Sequence, residues 1–209
     1  MGVLTTQIRP MAFDDMAEVA ALEREQPRPW SEKVFTDELS QDNRTYLVVG
    51  DPIVAYGGIM VIGDEAHVTN LFVARERRRQ GLVSCPVGPL AITANNFRFW
   101  QGRRTKSHLT IRRGRGRSQG RKWPLKYTHD LPDRTLGRQL MVALTEAGID
   151  SGARHLSLEV RASKRAARSF YASLGLAPVG VSPGYYGDDD ALIMWVHDID
   201  DSAHLESVL

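Results

Sequence analysis

Cysteine is almost absent from this chain: Cys85 stands alone, so no intrachain disulfide can form and a cysteine-rich zinc site is excluded. No other metal site is expected. Long apolar runs are missing too. The most hydrophobic stretch, Pro52 to Gly63, is too short to cross a bilayer and is broken by Gly57 and Gly58. The first residues lack a basic-then-apolar leader. The expectation is therefore a cytoplasmic protein with no membrane partner. Net charge is also scarce, at +2 over 209 residues, but its distribution is uneven. Between Leu82 and Thr135 twelve Lys and Arg face only Asp130 and Asp133, which makes that stretch +10 and the remaining chain −8. These numbers describe one domain over residues 1–197, interrupted by a basic insertion at 82–135 and followed by an acidic, frayed tail at 198–209.

What is present reads as alternating strands and helices. Gln7 to Met11 forms a short first strand, and Asp15 with Glu18 has capping-box spacing ahead of a helix carrying Val19 and Leu22. Ser31 is a good N-cap for a second helix to Leu39, with Trp30 before it at staple spacing from Phe35. Thr45–Val49, Ile53–Ile62 and Ala66–Ala74 are β-branched and aromatic runs punctuated by Gly50-Asp51 and Gly63-Asp64, the pattern of an antiparallel meander. After Thr135 the period becomes helical through Leu136, Leu140, Ala143, Leu144 and Ala147, with Gly152 as a stop. His155–Val160 then reads as a strand, Ser163 as the N-cap of a helix over Lys164–Leu174, and Ala177–Val181 and Ala191–His197 as two last strands. This mixed order indicates an α/β protein, a central sheet flanked by helices.

The chemistry-bearing residues cluster at two places. Strand Asn70-Leu71-Phe72-Val73 runs into Arg77, Arg78, Arg79, Gln80 and Gly81, and an Arg/Gly turn between a strand and a helix start aims backbone amides at phosphate. The helix start, Leu136-Gly137-Arg138-Gln139, comes only after the basic segment; joined, the flanks read R-R-R-Q-G-L-G-R-Q-L. The second cluster is Leu158-Glu159-Val160-Arg161-Ala162-Ser163, succeeded by Phe170-Tyr171-Ala172-Ser173-Leu174-Gly175, by Gly184-Tyr185-Tyr186 and by Ala191-Leu192-Ile193-Met194. With Pro29-Trp30-Ser31-Glu32-Lys33 near the start, this series resembles the GNAT acetyltransferase superfamily, and within it the RimI-type ribosomal-protein alanine N-acetyltransferases.

The resemblance implies the GNAT acyltransferase fold, a mixed, mostly antiparallel central sheet, with the basic segment as a long disordered insertion. It implies acetyl-CoA as co-substrate, without a metal, and the N-terminus of an alanine-starting ribosomal protein as partner. Glu159 is then the general base that draws a proton from the amine, and Tyr171 the general acid for the leaving thiolate. Leu71, Phe72 and Val73 lie where the strand parts from its neighbour to pair with the pantetheine amides. Amides of Arg79, Gln80, Gly81 and Gly137 cradle the pyrophosphate, with charge from Arg78 and Arg138. Lys164 stands where the family has Asn, and offers a cation to a CoA phosphate. Trp30, Tyr185 and Tyr186 are implied substrate contacts, although from spacing alone Trp30 is equally a staple. His67 reads as a strand-face residue without a chemical role. Asp188, Asp189 and Asp190 read either as an attraction for a basic peptide or as a solubilising turn.

Gly102 to Lys122 carries nine Lys and Arg, no acid, and the run Arg-Arg-Gly-Arg-Gly-Arg, between Trp100 and Trp123. Such a stretch can contact RNA phosphates weakly over residues 98–126, or have no ligand at all. This opens a second functional reading, in which the acetyltransferase fold is catalytically impaired by its split phosphate loop and the basic segment binds RNA.

Overall fold

In the computed structural model the described residues are 7–26, 28–78 and 135–201. The basic insertion, Arg79, Gln80 and Gly81, and the tail beyond Asp201 lie outside them. The strands are β1 (Ile8–Pro10), β2 (Arg44–Val49), β3 (Ala55–Ile62), β4 (Glu65–Val73), β5 (His155–Arg161), β6 (Ala177–Ser182) and β7 (Ala191–Val196). The helices are α1 (Met16–Glu23), α2 (Glu32–Leu39), α3 (Leu136–Asp150) and α4 (Arg165–Ala172). One sheet contains all seven strands in the order β1-β2-β3-β4-β5-β7-β6. Every pair in it is antiparallel except β4 with β5.

The expected meander is present, and Gly63 explains one of its turns. It has φ +65°, a left-handed conformation that glycine adopts without a Cβ penalty, so β3 can turn back into β4 through Gly63-Asp64 with Ile62 facing Glu65. Ser31 caps α2, accepting the Val34 N–H, and the Trp30 and Phe35 rings meet at 5.3 Å as a staple requires. Three local expectations change. Asp15 does not cap α1; its carboxylate takes the Ala12 N–H and a two-pronged bond from Arg9, while Glu18 reaches across to the Ile53 N–H at 2.8 Å. Ser163 does not cap α4, which starts at Arg165, because its hydroxyl is given to Asp189. The start of the acidic tail is tied down rather than frayed: Ile199 is fully buried, and Asp198 and Asp200 pair with Arg154.

The two faces of the sheet are built differently. Trp30, Phe35, Tyr46, Tyr56 and Phe72 form an aromatic cluster together with Val19 of α1. Phe72 stacks on Tyr56 at 5.4 Å, and Phe35 meets Tyr56 edge-on. On the opposite face α3 packs Leu140 and Leu144, and a Cβ at Gly148 would stand 3.2 Å from both Ala66 and Ile59.

Between these layers β4 carries an irregularity that shapes the site. Ile59 pairs with Val68 but Gly58 pairs with Asn70, so Thr69 is an extra residue, a β-bulge. A hydrogen-bond chain holds it: Tyr46 Oη lies 2.8 Å from Glu38 Oε2 and 3.0 Å from Thr69 Oγ1. Burial, reinforced by the Glu38 charge, pushes the Tyr46 phenol well above its ordinary value. It therefore keeps its proton, gives it to the carboxylate, and accepts from Thr69. Tyr46 reaches Thr69 by crossing β3 at Gly58, where a Cβ would lie 2.2 Å from the Tyr46 ring and 2.7 Å from Thr69 Oγ1. Gly58→Ala should accordingly cost about 1–3 kcal/mol through forced repacking, measured as a fall in the urea midpoint at unchanged slope.

Candidate active site

β4 and β5 start as neighbours and then part. Their parallel pairing comprises Glu65 with His155, Ala66 with Leu156 and His67 with Ser157, and no further pairs, although both strands continue. At the point of parting, His67 Nε2 comes within 3.0 Å of Glu159 Oε2, a short but oblique approach. His67 Nδ1 lies 3.0 Å from Ser157 Oγ, which is 3.4 Å from the Ala66 carbonyl. Ser157 Oγ donates to that carbonyl. The imidazole is thus held through Nδ1 by Ser157. His67 is a strand-face residue, as read from the sequence, and that face sets its imidazole beside the Glu159 carboxylate. Sequence alternation could place His67 on a face, but only the non-local β4–β5 pairing shows what it meets.

Two loops close over this point. In the β6–β7 connection Tyr185 and Tyr186 lie ring to ring at 4.9 Å, Tyr186 donates its hydroxyl to the Glu159 carbonyl at 3.3 Å, and the Arg161 guanidinium sits 4.4 Å over the Tyr186 ring. Burial, then the charge of Glu159 and the neighbouring Tyr186, push the Tyr185 phenol up, so it remains a proton donor beside the carboxylate. Each of the three aspartates holds a partner from the protein, while Asp188 and Asp190 stay exposed. Asp188 binds Arg161 at 2.9 Å, Asp189 takes the Ser163 hydroxyl, and Asp190 accepts the Gly184 N–H at 2.8 Å. Arg28, in the α1–α2 connection, approaches Asp188 at 4.0 Å and links the two loops. Trp30 of the same connection is 6% exposed and packed on Phe35.

The other side of the parting meets the start of α3. Thr135 is its extended N-cap, whose carbonyl accepts the N–H groups of Arg138 and Gln139, so those of Leu136 and Gly137 stand ahead of the first intrahelical bond of this 15-residue helix. A Cβ at Gly137 would lie 3.8 Å from Val73 Cγ2 and from Phe170 Cζ, which sets that helix end against the end of β4. Leu71 shares this face, flanking Gly57 together with Leu144, whereas Phe72 faces the aromatic cluster. Arg78 turns inward: Nε donates to the Val73 carbonyl at 2.6 Å, its guanidinium lies over Phe72, and Glu25 is 3.7 Å away. Arg138 is bonded to Ser173, and Lys164 is exposed as the N-cap of α4. Tyr171 is fully buried on α4. The structure therefore joins Glu159 with Tyr185 and Tyr186, and Gly137 with Val73. The basic residues 98–126 lie outside the described residues. Among the described residues no cluster of His, Cys, Asp and Glu could hold a metal, and no helix is long and apolar enough to cross a membrane.

No protein-family model matches the chain. Solved structures do match: the ribosomal-protein-S18-alanine N-acetyltransferase of Escherichia coli superimposes with a TM-score of 0.62 at 22% identity, over 93% of this chain and 94% of that one. Ard1 of Thermoplasma volcanium gives 0.61 at 16% identity, over 92% and 97%. The chain has the GNAT acetyltransferase fold. In sequence it is 26% identical, over 90% of its length and 93% of the relative's, to a Bacillus subtilis protein provisionally named a [ribosomal protein bS18]-alanine N-acetyltransferase. The likeness to RimI-type GNAT acetyltransferases read from the motifs is thereby shown over nine-tenths of the chain.

In this GNAT fold one buried carboxylate steadies the α1–α2 connection. Glu23 is 2% exposed and its Oε1 accepts the Trp30 N–H at 2.9 Å. Burial pushes its pKa up to about 7, against smaller opposing effects of the Trp30 N–H and Gln26. Between pH 4.5 and about 7 the folded chain holds a proton that the unfolded chain releases, so stability falls as pH rises and the loss is complete above 7. Glu146 shares this window, so parent and variant must be compared. Glu23→Gln, which keeps an oxygen on the Trp30 N–H, should be more stable than the parent at pH 8, by at most about 3 kcal/mol at roughly 1.4 kcal/mol per pKa unit. At pH 4 the difference should nearly vanish, as urea denaturation at the two pH values will show.

Proposed function

We propose that this protein is an N-terminal acetyltransferase that moves the acetyl group of acetyl-CoA to the α-amine of a ribosomal protein beginning with alanine. The observation that carries the reading is the His67–Glu159 pair at the mouth of the β4–β5 parting. A carboxylate with an imidazole beside it stands where an unpaired strand edge, a helix N-terminus and two loops converge. The substrate class is drawn from the relatives' names; the chemistry is argued from these residues.

A peptide α-amine has a pKa of roughly 8, so most of it is protonated near pH 7 and a base that takes its proton is useful. Glu159 takes that proton, directly or through a water, with the His67 imidazole beside the carboxylate. Acetyl-CoA, when bound, supplies the acetyl group as an activated thioester. The edge of β4 at Leu71 and Val73 suits the pantetheine as an added strand. The first N–H groups of α3, approached closely at Gly137, suit the pyrophosphate. For the Val73 carbonyl to join such a strand, Arg78 has to release it, which frees the guanidinium for a phosphate. Tyr171 is the proton donor to the departing sulfur, and Lys164 adds positive charge at the start of α4. Tyr185, Tyr186 and the Trp30 loop border the peptide.

Glu159→Gln should lower turnover by roughly 10² to 10⁴ while leaving acetyl-CoA affinity unchanged. His67→Gln, which keeps a polar side chain beside Glu159, should lose less than His67→Leu. Mass spectrometry of the product locates the acetyl group: the α-amine supports the reading, and acetylation chiefly of internal lysines contradicts it.

A further inference from the structure

Asn70 has a chemical puzzle attached to it. It is 1% exposed, on β4, and neither Oδ1 nor Nδ2 of its amide has a hydrogen-bond partner. A buried amide with no partner is costly, and a strand facing an aromatic cluster has no need of one. Its position suggests what the amide is for. The β4–β5 register, His67 with Ser157, would bring Thr69 level with Glu159 if it continued. The bulge adds one residue to β4, so Asn70 comes level with Glu159 across the gap.

The face is settled as well. Phe72, two residues on, points into the aromatic cluster that includes Trp30, and side chains two apart in a strand share a face. Thr69 bonds Tyr46 of the same cluster, so the bulge turns two successive polar side chains the same way. Leu71 points to the opposite face, toward α3. Asn70 thus belongs to the face bordered by the α1–α2 and β6–β7 loops, where the peptide would lie, and not to the helix face that suits the cofactor phosphates.

We infer that Asn70 is a specificity residue whose side-chain amide pairs with the backbone N–H and C=O of the second residue of the incoming substrate. Its Oδ1 accepts from the N–H of residue two and its Nδ2 donates to the carbonyl of that same residue, which an extended chain turns to the same side. An amide presents a donor and an acceptor side by side, matching the N–H and C=O that one extended residue turns the same way and no part of a simple alkyl amine. A site of this kind recognises an α-amine by the peptide bond next to it, and discriminates against lysine side chains, which have only methylenes there. The inference rests on the acetyltransferase reading.

The test uses the full chain and Asn70→Leu, a near-isosteric replacement without polar atoms. Three measurements are made on parent and variant: the melting temperature, acetyl-CoA affinity by calorimetry, and affinity for an alanine-starting peptide in the presence of CoA. The expected result is a melting temperature equal to or above the parent's, unchanged acetyl-CoA affinity, and peptide affinity lowered about 10-fold or more. In turnover, the preference for the peptide over a primary amine with no peptide bond should narrow by a similar factor. Equal peptide affinity in the two proteins overturns the inference, whatever the turnover. A lower melting temperature with parallel loss of acetyl-CoA binding also overturns it, since it makes the amide a structural element. Failure of the parent to acetylate any amine, with peptide affinity still lost in the variant, contradicts the enzymatic reading and leaves the Asn70 contact standing.

Discussion

Two parallel strands that pair for three residues and then separate are the constraint on which everything else in this protein depends. A sheet normally satisfies its backbone groups strand by strand, and an unpaired interior edge invites another extended chain. Here β4 and β5 leave such an edge in the middle of seven strands, and the surrounding elements hold it open. The bulge at Thr69 lies just beyond the last paired residue, and the chain Glu38–Tyr46–Thr69 pins it from α2. Gly58 gives the Tyr46 ring its passage across β3. A glycine, a phenol and a carboxylate on three different elements thus act together on one strand irregularity.

The same parting divides labour between the two faces. The α3 face offers a helix start without a Cβ at Gly137 and the small-scale geometry for phosphate. The aromatic face offers His67, Glu159 and Asn70, with Tyr185 and Tyr186 folded over them. Charged side chains around the site are largely committed to one another: Arg161 to Asp188 and Tyr186, Arg78 to the Val73 carbonyl and Glu25. Such internal bonding makes the β6–β7 loop a shaped wall. The polar groups that stay uncommitted in the described site, Asn70 above all, are therefore the informative ones.

Much of this could be read before any coordinates. The meander, the long helix after Thr135 and the last three strands come from hydrophobic periods and from glycines where turns need them, as at Gly63. Glu159, Tyr185 and Tyr186 came from ordered motifs, and the structure sets them together. What escaped the sequence was every contact between distant segments: His67 with Glu159, Arg78 with Glu25, Asp189 with Ser163 and Glu18 with Ile53. Each depends on register or on how a loop folds back, which local pattern does not encode. The bulge did leave a trace. Thr69-Asn70 is a pair of adjacent polar residues in a strand that alternates up to Val68, and two polar residues in succession there signal an inserted residue.

The central claim is that the unpaired edge between β4 and β5 receives acetyl-CoA as an added strand. Amide hydrogen exchange on the full chain, with and without acetyl-CoA, tests this most directly, because new backbone hydrogen bonds slow exchange at the residues that make them. The account predicts slowed exchange at Leu71 to Val73 and at the start of α3, around Gly137, with little change in β1 and β2. Unchanged exchange along the end of β4, in a protein that nonetheless binds acetyl-CoA, would contradict it.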